Sequence, residues 1–213
     1  WGNNAPIFGS TRFLHSRQAG NFDITFGGFV SSNNGYRTNN EEERYRLNGS
    51  VRYRDKKVKG LSYELSANYM RRVGDIFLLW ADGDSGVYRC NESFMQQINN
   101  SYLNLYPSVI WYKNDSTKHS LKGRFFQVHN TNNTGQDNFD DMYYAEYNFY
   151  KGFPSKSLNW TNGLCANYNE SVAEIYGGVH HFGSSVGFFS QADKKFNRLS
   201  VSLGARIEGY RID

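Results

Sequence analysis

The chain has 213 residues, enough for one domain of generous size or a piece of something larger, and its net charge of +4 is small for that length. Hydrophobic residues make up only 38% and the mean hydropathy is −0.70, yet the sequence holds 16 Tyr, 16 Phe and 4 Trp beside 21 Gly and 24 Asn. A helical membrane protein is excluded, since the longest apolar run, Ile76 to Ala81, is far short of the roughly 20 residues a spanning helix needs. A helix bundle is excluded by the abundance of poor helix formers, and disorder by an aromatic content that disordered chains lack.

The elements follow from strict alternation of apolar and polar residues between clusters of turn formers. Ten strands are expected, over residues 8–17, 21–32, 43–55, 60–71, 102–113, 118–130, 140–151, 156–168, 182–191 and 195–210. In the second, Phe22, Ile24, Phe26 and Val30 alternate with Asp23, Thr25 and Gly27. The third sets Tyr45, Leu47, Gly49, Val51 and Tyr53 against Arg46, Asn48, Ser50, Arg52 and Arg54. The fourth and tenth repeat the division, with Leu65 opposite Glu64 and Leu203 opposite Ser202.

The connections alternate too. Short ones fall at Arg17 to Asn21, Lys56 to Lys59, Asn114 to Thr117, Gly152 to Ser155 and Ala192 to Lys194. Longer ones fall at Asn33 to Glu42, Val73 to Ser101, Thr131 to Phe139 and Asn169 to His181. This is the rhythm of an antiparallel up-and-down meander, in a single domain over 1–213. Two registers satisfy both faces. A hairpin centred on Val58 sets Arg52 against Glu64 and Val51 against Leu65, and one centred on Gly135 sets Arg124 against Glu146 and Leu121 against Phe149.

A soluble sandwich also alternates, but three features favour a wet lumen and a lipid-facing exterior. The polar face is dense in full charges, the apolar face is thin, and Tyr45, Tyr53, Tyr63, Tyr69, Trp111, Tyr143 and Trp160 stand towards strand ends, as an aromatic girdle does. Five outward residues over about nine positions cover roughly 21 Å at a 45° tilt, against an outward band of about 25 Å.

Other signals are weak. Basic residues are spread and form no nucleic-acid stripe, and Lys56-Lys57-Val58-Lys59 reads as a solvated turn. Cys90 and Cys165 have no metal spacing, and whether they pair stays open. The opening Trp1-Gly2-Asn3-Asn4 is neither basic nor apolar, so whatever preceded it is expected to have been removed by processing or truncation.

The segment Phe8-Gly-Ser-Thr-Arg-Phe-Leu-His-Ser-Arg-Gln-Ala-Gly-Asn-Phe-Asp-Ile-Thr-Phe-Gly-Gly resembles the first barrel hairpin of TonB-dependent outer-membrane receptors, those of Bacteroides-like bacteria above all. Leu121-Lys-Gly-Arg-Phe-Phe with Asp140-Asp-Met-Tyr-Tyr-Ala-Glu-Tyr is similar to a middle hairpin of that family, and Arg198-Leu-Ser-Val-Ser-Leu-Gly-Ala-Arg-Ile-Glu-Gly-Tyr to its recurrent strand. The resemblance runs over about residues 8 to 210 and rests on the order of soft strand patterns. It implies an all-β partial transmembrane barrel, the N-terminal half of a 22-stranded wall, without the plug. It also implies outer-membrane lipid, the plug, the remaining strands and TonB as partners, a ferric siderophore or similar scarce nutrient as ligand, and no cofactor.

Within that frame the long loops are the expected recognition surface, with Tyr36, Arg37, Trp80, Asp82, Asp84, His180 and His181 as candidate ligand contacts. The two histidines, placed in an outer loop after Glu174 and Tyr176, suit a metal chelate, though solvated loop polarity is the simpler explanation of them. Asp82-Gly83-Asp84-Ser85-Gly86 has alternating oxygens, but the twelfth position of a calcium loop falls on Ser93 and not on a Glu, so no bound metal is expected. Neither Ser16 beside His15 nor Asp140 near His129 has an oriented base and nucleophile, and an enzyme is not expected. The charges Arg46, Arg52, Arg54, Glu64, Lys122, Arg124, Glu146, Arg206 and Glu208 are expected to form a ladder facing the plug. The alternatives are a secreted all-β lectin-like or adhesin-like module, and an outer-membrane pore without energy coupling.

Overall fold

The computed structural model describes residues 6–84, 86 and 88–213; the opening Trp1 to Asn4 and Ser85 of the aspartate-glycine run lie outside them. Ten strands form: β1 (Phe8–Ala19), β2 (Phe22–Asn33), β3 (Glu42–Arg54), β4 (Leu61–Phe77), β5 (Met95–Asn114), β6 (Thr117–Asn132), β7 (Asn138–Phe153), β8 (Leu158–Ala173), β9 (His180–Lys195) and β10 (Ser200–Ile212). They make one sheet in sequence order, every neighbour antiparallel, as the alternation predicts. Three single 3₁₀ turns, Glu92–Phe94, Pro154–Lys156 and Glu174–Tyr176, occupy connections.

The β3–β4 register is the expected one, with Arg52 opposite Glu64, Val51 opposite Leu65 and Tyr53 opposite Tyr63. The β6–β7 register differs from expectation by two residues. Glu146 faces Lys122 and not Arg124, and Leu121 faces Tyr147 and not Phe149. The reason lies in the turn. Asn132 Oδ1 accepts the backbone N–H of Thr134 at 2.9 Å and of Gln136 at 3.2 Å, which folds the loop about Thr134. Gly135 takes the left-handed position just after the apex, at φ 69°. A two-residue slip leaves every side chain on its own face, so patterning alone does not detect it.

Three further boundaries move. The long connection expected from Val73 to Ser101 is mostly strand, because β4 runs on to Phe77 and β5 begins at Met95. Val73 pairs with Asn99 and Phe77 with Met95, so the sheet rises well past the last clean alternation. The loop expected to hold His180 and His181 shrinks to residues 174–179, and both histidines belong to β9. The connection placed at Ala192 to Lys194 is inside β9, and the chain reverses at 196–199, where the N–H of Phe196 donates to the carbonyl of Leu199.

No second layer covers this sheet among the described residues. Buried hydrophobic side chains there are limited to Cys90, Ile98 and Cys165, and none is fully enclosed. On the apolar face Leu65 is 52% exposed, Leu121 51% and Leu164 54%. Soluble proteins place such residues inside. Along β7 the polar-face residues Tyr144, Glu146 and Asn148 are half-buried, while their outward neighbours Tyr143, Ala145 and Tyr147 are exposed. Side chains converge on the inside of a curve and splay on its outside, so the sheet curls towards its polar face, as a barrel wall does.

Two aromatic tiers band the outward face. Nearer the long loops Phe125, Tyr143, Tyr168 and Phe182 follow one another across four strands, with ring centroids 5.0, 6.2 and 6.2 Å apart. Nearer the short turns Trp111 stacks on His119 at 5.3 Å, His119 meets Phe149 at a tilt at 5.1 Å, and Phe22 meets Tyr53 at 4.9 Å. Cross-strand aromatic pairs of this kind stabilise a sheet face by about 0.2–1 kcal/mol each, and their amphipathic rings suit a membrane–water boundary.

Candidate functional site: the loop end and the polar wall

The meander puts the connections 34–41, 78–94, 133–137 and 174–179 at one end of the sheet and the five short turns at the other. At the long-loop end the β2–β3 connection docks on the β4–β5 excursion. The N–H of Thr38 donates to the carbonyl of Tyr88 at 2.9 Å, and Asn39 Nδ2 reaches Met95 Sδ at 3.0 Å. The Arg37 guanidinium lies between two rings, 4.8 Å from the centroid of Tyr36 and 4.6 Å from that of Phe77. Planar cation and aromatic faces attract one another through the ring quadrupole, so Tyr36 and Arg37 act as one unit with Phe77. The sequence reading did not single out Phe77 or Tyr88; Phe77 was visible within the apolar run, while nothing marked Tyr88.

The excursion is a small hairpin of its own. Trp80 and Cys90 form an antiparallel bridge, with the N–H of Ala81 donating to Arg89 at 2.9 Å and that of Asn91 to Leu79 at 3.0 Å. Asp82 Oδ1 accepts the N–H groups of Asp84 and Gly86, both at 2.9 Å. That carboxylate closes the tip of the loop. Asp84 is exposed, and Trp80 is 56% exposed.

The two histidines stand apart from this group, on β9, four strands from β5, or roughly 19 Å along the sheet at a strand spacing of about 4.8 Å. His180 Nδ1 meets Glu170 Oε1 at 2.7 Å, and His181 Nδ1 lies 3.7 Å from Asp213 Oδ1. The structure therefore divides the candidate contacts into a β2–β5 cluster and a β8–β10 pair. Among the described residues no three His, Cys, Asp or Glu side chains converge as a metal set, and Cys90 and Cys165 are both free thiols.

Below the loops the polar face carries a network of ion pairs and hydrogen bonds, some between strands and some along one strand. Arg52 donates through Nε and Nη2 to Glu64 Oε2 at 2.9 and 2.7 Å. Arg54 pairs with Asp23, and Arg206 with Glu208 at 2.8 Å. Glu42 is held by Arg44 at 2.7 Å and Arg72 at 2.6 Å. The expected Arg124–Glu146 pair does not form. Glu146 instead accepts from Tyr144 Oη at 2.6 Å and from Asn148, while Arg124 donates to Asn104 Oδ1 and lies 4.8 Å over the ring of Phe126. The two-residue register difference is the cause. The carbonyl oxygens of the Asn130, Asn167 and Asn169 side chains, all on this face, are shielded from solvent without a hydrogen bond among the described residues.

No family model and no curated protein matches the chain. Among solved structures it is similar to the ferric-catecholate import receptor Fiu from E. coli K12 in its open form. The superposition covers 98% of this chain and 45% of that one, with a TM-score of 0.74 and 12% sequence identity. The chain thus spans less than half the length of that receptor and shares its barrel-wall fold.

Proposed function

We propose that this chain is a stretch of the wall of an outer-membrane TonB-dependent receptor that imports a ferric siderophore or a nutrient of similar size. The observation that carries the reading is a continuous apolar face that no second layer among the described residues covers, on a sheet that curls towards its charged side. Exposed leucines at mid-strand are stable against hydrocarbon and costly against water. The likeness to a ferric-catecholate import receptor supports an iron chelate as the ligand in this reading. The Tyr36–Arg37–Phe77 stack and the exposed Trp80 offer planar aromatic and cationic surfaces, which suit an anionic, ring-bearing chelate.

In this reading the polar wall faces a plug, and TonB acts through that plug. The test is made on the full-length protein in its native host. Deleting the gene should abolish uptake of one iron chelate, and restoring it with Trp80→Ala and Arg37→Ala should recover the folded receptor but little uptake. Undiminished uptake of every chelate offered would overturn the import reading, and recovery of the receptor in the aqueous fraction would overturn the membrane reading.

A further inference from the structure

Charge is divided between the two ends of this sheet in a way the nearly balanced total conceals. The short turns with their flanking strand ends, residues 17–23, 54–61, 113–118, 151–158 and 193–200, hold twelve Lys and Arg against four Asp and Glu. The loops opposite, residues 33–42, 77–95, 132–138 and 173–180, hold two against seven. The run Lys56-Lys57-Val58-Lys59, unremarkable alone as a solvated turn, is one of five contributions to a cationic rim.

Little in the fold neutralises that rim. Among the described residues its one ion pair is Arg54 with Asp23. Asp55 spends an oxygen on the N–H groups of Lys57 and Val58, at 2.7 and 2.8 Å. Lys57, Lys59, Lys156 and Lys194 are exposed. By register Lys151 stands beside Trp160, and Lys194 beside Leu158 and Val201, on the outward face. The Lys194 ammonium lies 5.3 Å over the ring of Phe196. The cations therefore sit just beyond the lower aromatic tier, where a long side chain lays its stem on apolar surface and lifts its charge to the headgroup level.

We propose that this rim binds the phosphate headgroups of anionic phospholipid in the leaflet at the short-turn end. The proposal rests on the reading of the sheet as a membrane wall. Continuity with the outward apolar band fixes where the headgroups lie, and charge complementarity selects their sign, since each surface cation attracts an anionic leaflet within about a Debye length.

The experiment uses the full-length protein reconstituted in phosphatidylcholine vesicles carrying either spin-labelled phosphatidylglycerol or spin-labelled phosphatidylcholine. The fraction of motionally restricted label is read by electron paramagnetic resonance. Wild type should hold phosphatidylglycerol in preference by on the order of twofold to fivefold. The combined variant K57Q/K59Q/K156Q/K194Q should bring that ratio to parity, and high salt should do the same to wild type, which decides the matter even if the variant assembles poorly. Parity in wild type, or a preference that neither the variant nor salt reduces, would overturn the proposal. Absence of restricted lipid of either kind would instead sink the membrane reading beneath it.

Discussion

Gly60 and Tyr112 lock the short-turn ends of β4 and β5 together. The N–H of Tyr112 donates to the carbonyl of Gly60 at 2.9 Å, and a Cβ on Gly60 would stand 2.2 Å from the Tyr112 carbonyl oxygen. Gly60 also has φ of 80°, in the region that favours glycine. Gly60→Ala should therefore destabilise the assembled protein by roughly 1–3 kcal/mol. Gly9→Ala, where a Cβ meets nothing within 4 Å, should be close to neutral. The folded fraction against urea, followed by heat-modifiable gel migration of the full-length protein, checks the difference. Equal behaviour of the two variants would show that the turn has room for a side chain at Gly60.

Adjacent positions on β4 test the proposed membrane wall and its assignment of faces. Leu65 is outward and Ser66 is inward, on the same strand and at nearly the same depth. Leu65→Arg should cost about 2–4 kcal/mol at mid-depth and block assembly. Ser66→Arg, pointing into a wet interior beside Glu64, should assemble near wild-type yield; Ser66 Oγ already reaches Glu64 Oε1 at 3.3 Å. A reversed ranking in detergent-resistant yield would mean that the faces have been assigned the wrong way round.

Period-two alternation made the ten strands, their order and the identity of each face legible in the sequence, because one-residue errors transfer every leucine to the wrong side. It gave no purchase where the alternation lapses. Residues 72–77 and 95–101 mix Arg, Asp, Gln and Asn with Val, Ile and Met, yet they pair as sheet because the backbone ladder continues regardless of side chain. The β6–β7 register escaped for the opposite reason, two shifts of equal pattern being available. At the candidate site, Tyr36, Arg37 and Trp80 were marked by residue type and loop position, but their neighbours Phe77 and Tyr88 depend on how two loops dock. His180 and His181 were legible as residues and misplaced as structure, since β8 and β9 run on beyond their apolar segments.

The two aspartates of the excursion should behave differently despite their shared motif. Asp82 accepts the backbone N–H groups of Asp84 and Gly86 and so organises the tip, whereas Asp84 contributes its N–H to that arrangement and is itself exposed. Asp82→Ala should loosen residues 78–94 by about 1 kcal/mol or more, seen as faster protease cleavage within them. Asp84→Ala should leave the cleavage rate unchanged. On the proposed import reading Trp80→Ala should lower chelate binding without altering assembly, since its bridge to Cys90 is made by backbone. Similar protease sensitivity in both aspartate variants would remove the assigned role of Asp82.

Asp55, in the turn between β3 and β4, gives the acid-side prediction. The backbone N–H groups of Val58 and Lys57 donate to its carboxylate and hold its pKa below the ordinary value of 3.8, with the Lys57 charge adding to the effect. A carboxylate depressed in the folded state contributes its stabilisation fully above the unfolded value and loses it as pH falls through the lower folded value. Amide exchange at Lys57 and Val58, corrected for intrinsic pH dependence, should therefore show constant protection from neutral pH to about pH 4. Below that protection should decline as the carboxyl takes up its proton. In Asp55→Asn, whose amide oxygen is a weaker acceptor and does not titrate, protection should be lower throughout and flat across the same window. A wild-type profile as flat as the variant's would show that these two hydrogen bonds do not persist in the assembled protein.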